Sequence, residues 1–116
     1  MTLNTVANGT YRIIAEDKQQ FKFILEPVTD IHSGYWVAVS KTYYGLAGDL
    51  TALGSIAKWY PAKVGDYIGV WSEGENLSQE FDLVAHIDNL EDAMRIGRNN
   101  NQKAIWDIAN NTEVWL

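Results

Sequence analysis

The chain has 116 residues, of which 47% are hydrophobic and 21% charged, and its formal net charge is -6 at pH 7. This composition is that of a folded globular protein and excludes intrinsic disorder. The sequence contains no cysteine, which excludes disulfides, thiolate metal sites and a cysteine nucleophile.

The sequence also indicates where the protein is expected to reside. Its first twenty residues contain neither the basic segment nor the apolar segment of a secretory signal. The uninterrupted apolar stretches are only a few residues long, whereas a helix needs roughly 20 apolar residues to span a bilayer. We therefore expect one domain over residues 1–116, in the cytoplasm and outside the membrane.

Three strands are predicted in the N-terminal third of the chain. The segments 10–15 and 21–26 flank the turn-like sequence EDKQQ and are expected to form a hairpin. In the second segment apolar and polar residues alternate, which predicts one buried face. The segment 35–39 (YWVAV) is dense in aromatic and β-branched residues and predicts a third strand.

The middle segment, 41–63, permits two interpretations. Asp49 can cap a short second helix over 49–58, whose apolar residues recur at helical spacing. Gly54 inside that helix costs about 1 kcal/mol relative to alanine, so the alternative is a loop that ends near Pro61.

The C-terminal half predicts a hairpin, a helix and a second hairpin. The strands 67–71 (YIGVW) and 81–87 (FDLVAHI) flank a polar loop. A helix over about 89–99 follows, with Asp88 and Glu91 spaced as a capping box.

The last hairpin is expected to begin after three asparagines, which tolerate the left-handed conformation at a helix end. The strand 102–108 then turns through the two-residue loop Asn110-Asn111 into 113–116. The fold class expected is therefore α+β, a mainly antiparallel sheet of about six to seven strands with one short helix packed on it. The strand tryptophans Trp36, Trp71 and Trp106 are expected in the core.

No motif in the sequence predicts chemistry. The two histidines, His32 and His86, lack the spacing of metal ligands, and Ser33 beside His32 lies in a turn without a nucleophile elbow. The glycines of the middle segment match neither a P-loop nor a dinucleotide fingerprint. We therefore expect a protein that is not an enzyme and has no catalytic residue, metal or cofactor.

The acidic residues are unevenly distributed. Between residues 64 and 94 there are eight acids and no lysine or arginine, which disfavours direct binding of duplex nucleic acid. The expected partner is a protein with a basic surface, although a solvated hairpin and a helix N-terminus also tolerate carboxylates. The predicted acidic partner-binding face consists of Asp66, Glu73, Glu75, Glu80, Asp82, Asp88, Glu91 and Asp92.

The aromatic residues support an alternative site. Five tryptophans and six tyrosines are present, and such side chains favour interfaces or stack on bases and sugars. Arginines three residues apart on a helix can hold an anionic group, although they also complement a helix C-terminus. The alternative ligand-binding set, for a small anionic nucleotide, is Tyr43, Tyr44, Trp59, Tyr60, Arg95 and Arg98.

The C-terminal half, from YIGVW through NLEDAMRIGRNNNQKAIWDIANNTEVWL, resembles small orphan proteins of phage and prophage genomes. The resemblance covers less than half of the chain. It implies an accessory or anti-defence factor that acts in the host cytoplasm, either by blocking a host protein or by capturing a host signal.

Two functional hypotheses follow. In the first, the protein inhibits a host protein through its acidic surface; in the second, it binds or sequesters a nucleotide-type signal. A homodimer is compatible with both, because a C-terminal strand at the edge of a sheet can pair across a two-fold axis.

Overall fold

The computed structural model describes residues 8–17, 22–40, 43–46, 63–71 and 78–116. Within these ranges the chain forms eight strands and one helix, which confirms the α+β class and includes one strand, β4, that was not predicted. The elements are β1 (Gly9–Asp17), β2 (Lys22–Pro27), β3 (Tyr35–Ala38), β4 (Tyr43–Leu46), β5 (Tyr67–Trp71), β6 (Ser78–Ile87), α1 (Leu90–Asn99), β7 (Ala104–Asp107) and β8 (Thr112–Trp115).

All eight strands belong to one antiparallel sheet. Its order is β2-β1-β5-β6-β3-β7-β8, and β4 pairs with β6 next to β3. The three predicted hairpins are present, as β1 with β2, β5 with β6 and β7 with β8. However, β3 lies between β6 and β7, and β1 joins the first hairpin to β5.

Two irregularities interrupt the regular pairing. The register between β1 and β2 shifts by one residue between Ile13 and Ala15, so Ile14 forms a bulge. The second irregularity is on β6, which pairs with β4 over 78–81 and with β3 over 84–87. The buried Ser40 comes shortly after the end of β3. Its hydroxyl oxygen accepts a hydrogen bond of 2.9 Å from the Leu83 amide, which satisfies a backbone donor of β6 where β3 has ended.

The start of α1 differs from the prediction by one residue. Asn89, not Asp88, is the N-cap: its Oδ1 accepts a hydrogen bond of 2.8 Å from the Asp92 amide. Its Nδ2 donates to Asp92 Oδ2, also at 2.8 Å. Asp92 therefore takes the position predicted for Glu91, because Asn89 has both the acceptor and the donor that a reciprocal cap needs.

The end of α1 agrees with the expectation from the asparagines. Asn101 has a φ of 58°, in the left-handed region. The Gln102 amide donates to the Gly97 carbonyl at 2.9 Å, and the Asn101 amide donates to the Arg98 carbonyl at 3.0 Å. This pair of hydrogen bonds is a Schellman motif, which satisfies the last carbonyls of the helix.

The helix packs on one face of the sheet, over β3 and β7. Val37, Ala93 and Ile105 are buried together there. Gly97 provides the close approach, since a Cβ at this position would lie 2.7 Å from Leu116 Cδ1 and 3.0 Å from Ile105 Cγ2. The same sheet face continues across β2, β1, β5 and β6, where Ile13, Phe23, Ile68, Val70 and Phe81 are buried.

The last hairpin has a longer loop than predicted. The final pair of the ladder is Asp107 with Thr112, so residues 108–111 form the loop and Asn110-Asn111 is not a two-residue turn. The Asp107 carboxylate accepts hydrogen bonds from the backbone and side-chain nitrogens of Asn110. Asn111 has a φ of 51°, which closes this side-chain-capped turn.

The predicted helix over 49–58 lies outside the described residues. In the part of the chain that the structure describes, no helix is long and apolar enough to cross a membrane.

Candidate binding face

Four of the five tryptophans lie on the sheet face opposite α1. Residues paired directly across antiparallel strands point to the same side, and successive residues of a strand alternate. Val37 and Ile105 lie under the helix, so their neighbours Trp36 and Trp106 point to the other side, and they are paired with each other. We call this side the aromatic face. Its side chains include Arg12, Trp36, Tyr67, Trp71, Glu80, Asp82, His86, Trp106, Glu113 and Trp115.

This placement corrects the expectation that the strand tryptophans form the core. Trp36 and Trp106 are half-buried, and Trp71 is 48% exposed. Trp115, in the edge strand β8, is 68% exposed. The fully buried positions of these strands are instead held by smaller aliphatic residues on the helix side, such as Val37 and Ile68.

Trp36 is at the centre of the aromatic face. Its ring centroid lies 4.9 Å from that of Tyr67, in a tilted arrangement. It also lies 5.3 Å from the His86 ring, which meets it edge-on. Both geometries are the favourable ones for aromatic pairs, so the centre of the face is a connected group of rings.

One end of the face carries a filled cation site. The Arg12 guanidinium lies 5.5 Å from the centroid of the Tyr67 ring. Its Nη2 donates to both carboxylate oxygens of Asp30, at 3.0 and 3.3 Å, and Nη1 lies 3.7 Å from Glu26 Oε1. The hydrogen bond from Arg12 lowers the pKa of the Asp30 carboxyl below its usual value. Hydrogen bonds with Tyr67 and Asp30 raise the pKa of Arg12.

This pKa shift predicts a pH dependence of stability. Because the pKa of Asp30 is lower in the folded protein than in the unfolded chain, its contribution is complete above the unfolded value and is lost as the pH falls through the folded value. We expect Asp30→Asn to lower the thermal midpoint at pH 7 and to have a smaller effect at pH 2.

Thermal unfolding followed by circular dichroism at both pH values tests this prediction. Glu113→Gln is the matched control, because the structure gives Glu113 no ion pair among the described residues. An equal loss for Asp30→Asn at both pH values would contradict the assigned role of the carboxylate.

His86 has a structural role on this face. Its Nε2 lies 2.8 Å from the Ser33 carbonyl oxygen, which can only accept, so Nε2 carries the proton and donates. Nδ1 lies 3.7 Å from Asp88 Oδ1. The Nε2 proton is therefore held on a backbone carbonyl, and the described residues contain no group of three or more potential metal ligands.

The aromatic face is predominantly acidic. Among the residues whose side chains the structure describes, the strand register places Glu26, Glu80, Asp82 and Glu113 on this face together with one cation, Arg12. Arg12 is already paired with Asp30 and Glu26. Glu80 and Glu113 form no salt bridge with a lysine or arginine among the described residues. Such carboxylates beside aromatic rings favour a ligand that carries guanidinium or ammonium groups.

The structure divides the predicted acidic set. Glu80 and Asp82 lie on the aromatic face, while Glu91 and Asp92 lie in the first turn of α1. Along β6, Glu80 and the end of the strand are roughly 20 Å apart at about 3.3 Å per residue. Asp88 is exposed just beyond that end, and Asp66 accepts a hydrogen bond from the Lys63 amide in the turn before β5. Glu73 and Glu75 lie outside the described residues.

The alternative ligand set is only partly described. Arg95 and Arg98 are exposed on α1, on the other side of the sheet from the aromatic face, and Arg95 Nη2 lies 3.3 Å from Asp92 Oδ1. Tyr43 and Tyr44 belong to β4, where only the backbone is described. Trp59 and Tyr60 lie outside the described residues.

Several residues of the aromatic face were not predicted from the sequence. Arg12, Trp36, Tyr67, Trp106, Glu113 and Trp115 were not among the predicted site residues. Strand alternation was the signal that could have grouped them. It directs Trp36 to the other side of its strand from Val37, and Trp106 to the other side of its strand from Ile105. The pairing of β3 with β7, which brings the two tryptophans together, has no local signal.

Comparison with known proteins finds no matching family model, no similar curated protein and no similar solved structure.

Proposed function

We propose that this protein is a non-catalytic binding protein whose aromatic face attaches to a basic surface of another protein. The observation that carries the proposal is the grouping of four of the five tryptophans with an excess of carboxylates on one sheet face, opposite the helix. Trp71 pairs with Glu80, and Trp106 pairs with Glu113. Each pair places an aromatic ring beside a carboxylate, and arginine and lysine side chains bind both.

The resemblance to small phage proteins supports a role for this attachment. A protein that covers the basic surface of a host protein blocks whatever that surface binds. We therefore propose an accessory factor of the anti-defence type, which acts by occupying its target in the host cytoplasm. Charge complementarity of this kind accelerates association and selects the partner.

The nucleotide alternative has less support from the geometry. It requires the arginines of α1 and a group of aromatic rings to reach one ligand. The described aromatic rings of the central group lie on the other side of the sheet from Arg95 and Arg98.

A defined polycation tests the proposal without knowledge of the natural partner. Tryptophan fluorescence is followed while a blocked deca-arginine peptide is added at low ionic strength, and the titration is repeated at 0.5 M salt. We expect saturable binding that weakens with salt, because the paired charges are partly exposed and therefore screened. The emission should change because four tryptophans lie on the binding face.

Two charge reversals locate the binding. Glu80→Lys changes the aromatic face, whereas Glu91→Lys makes the same change of charge at the exposed first turn of α1. We expect Glu80→Lys to weaken binding by about three- to tenfold and Glu91→Lys to weaken it by less than about twofold. Equal effects would show that only net charge matters and would overturn the proposal, as would the absence of saturable binding.

A further inference from the structure

The aromatic face reaches the edge of the sheet at β8. Glu113 is paired with Trp106 of β7, and Trp115 follows two residues later on the same side. Trp106 and Trp115 are diagonal neighbours in the ladder, so their Cα atoms lie about 7–8 Å apart. Aromatic side chains can bridge that distance. Glu113 is exposed and Trp115 is 68% exposed. The edge therefore presents one carboxylate between two indole rings.

The backbone of the same two residues also points outward. The Leu116 amide donates to the Lys103 carbonyl at 2.9 Å, which makes these two residues a hydrogen-bonded pair of the β7–β8 ladder. Hydrogen-bonded and non-hydrogen-bonded pairs alternate in an antiparallel ladder. Val114 and Thr112 therefore bond to β7, whereas Glu113 and Trp115 direct their N–H and C=O groups away from the sheet.

At the other end of the aromatic face, the guanidinium of Arg12 occupies a similar arrangement of an aromatic ring and a carboxylate. There, a guanidinium lies 5.5 Å from the centroid of the Tyr67 ring and bonds to the Asp30 carboxylate. At β8 the rings and the carboxylate are present, but no lysine or arginine of the described residues pairs with Glu113. This end of the aromatic face therefore has room for a guanidinium or ammonium group of another molecule.

We propose that β8 is a docking edge for an extended, arginine-bearing segment of the partner protein. The segment adds as a strand to β8, and its arginine lies between Trp106 and Trp115 and pairs with Glu113. This inference rests on the proposed function, because it names the segment and the residue type through which the basic partner is recognised.

Strand geometry supports this occupant. A strand added at the usual spacing of about 4.8 Å bonds to the outward groups of Glu113 and Trp115. Its residue opposite Glu113 points to the aromatic face, about 5 Å from the Glu113 side chain. Arginine suits this position better than lysine, since its planar guanidinium stacks on indole and bonds a carboxylate through two nitrogens.

A second copy of the chain is a poorer occupant of the same edge. The sequence of β8, TEVW, contains no lysine or arginine. A symmetric pairing of two β8 strands would bring two Glu113 carboxylates to the junction without a cation to neutralise either.

Peptide titration followed by ¹H–¹⁵N NMR tests the inference. The probes are three blocked heptapeptides of alternating threonine and valine, with arginine, lysine or citrulline at the centre. With arginine, we expect shifts of the Glu113 and Trp115 amides and of the Trp106 and Trp115 indoles. Citrulline keeps the shape of arginine without its charge, so we expect about tenfold weaker binding, with lysine in between.

Three variants control the measurement. Glu113→Gln should weaken the arginine peptide to about the affinity of the citrulline peptide, and Trp115→Ala should weaken it by about three- to tenfold. Leu90→Ala removes an exposed apolar side chain of α1, on the other side of the sheet, and should leave the affinity unchanged.

The results distinguish this inference from the proposed function. If deca-arginine binds and Glu80→Lys weakens it, while the arginine and citrulline heptapeptides bind equally or not at all, only the docking edge is overturned. Binding of the arginine heptapeptide at β8, with no effect of Glu80→Lys on deca-arginine, supports the docking edge and overturns the role assigned to Glu80 and Trp71. Sedimentation that shows a dimer from which the peptide is excluded overturns the docking edge in favour of a second copy.

Discussion

Replacement of Gly34 by alanine is expected to destabilise the protein by about 2–4 kcal/mol, because two independent costs fall on one Cβ. Gly34 has a φ of 86°, a backbone conformation that residues other than glycine rarely adopt. A Cβ at this position would also lie 2.5 Å from His86 Nε2 and 3.0 Å from the Ile87 carbonyl oxygen. The imidazole can move, but the carbonyl belongs to the central strand β6 and cannot.

Gly65→Ala is the matched control for this prediction. Gly65 has a φ of 97°, and a Cβ there would meet no atom within 4 Å. The control therefore carries the backbone cost alone, about 1–2 kcal/mol. Urea denaturation gives both free energies of unfolding, and similar losses for the two variants would show that the contacts with His86 and the Ile87 carbonyl add nothing.

The double variant Gly34→Ala/His86→Ala separates the two costs further. Its loss should be smaller than the sum of the single losses by about 1 kcal/mol, because the clash requires both side chains. Full additivity would mean that His86 does not occupy the space beside Gly34, and the assignment of its Nε2 to the Ser33 carbonyl would then be wrong.

Phe81→Ala is expected to cost about 3–5 kcal/mol, since Phe81 is a fully buried aromatic side chain. The residue lies in β6, where it pairs with Val70 on one side and Tyr43 on the other. The free energy of unfolding of a typical domain is about 5–15 kcal/mol, so a loss of this size is a large part of the total. Chemical denaturation at 25 °C measures it.

Trp71→Ala is the comparison that makes the Phe81 result informative. Trp71 is the larger side chain and lies in the neighbouring strand β5, but it is 48% exposed on the aromatic face. We expect its removal to cost about 1 kcal/mol or less. A loss equal to that of Phe81→Ala would contradict the assignment of Trp71 to the surface rather than the core.

Local features of the fold could be predicted because their causes are local. The alternation of 21–26 correctly predicted a strand with one buried face, since Phe23 is buried and its neighbour Ile24 is exposed. The asparagines after α1 correctly predicted a left-handed residue at its end. The N-cap was misassigned by one residue because Asp88 and Asn89 are both good caps.

The candidate binding face could be predicted only in part. Glu80 and Asp82 were expected in a partner-binding surface, and the structure places them on the aromatic face. Their grouping with Trp36 and Trp106 was not expected, because hydropathy does not distinguish a buried tryptophan from one on an open sheet face. Arg12 was missed for a similar reason: its contact with Tyr67 depends on the pairing of β1 with β5.

The sequence by itself determined the class of the fold, the hairpins and the helix, and the two sets of side chains that each strand presents. These properties depend on residues close together in the chain, through alternation, turn chemistry and capping. Only the tertiary structure decided that β3 lies between β6 and β7 and that α1 covers the side of Val37 rather than that of Trp36. Both sides of β3 are apolar enough to be buried, so the choice depended on which one accepts a helix at close range. The small residues Ala93 and Gly97 pack against Val37 and Ile105, and Trp36 and Trp106 therefore lie half-buried on the side of the sheet away from α1.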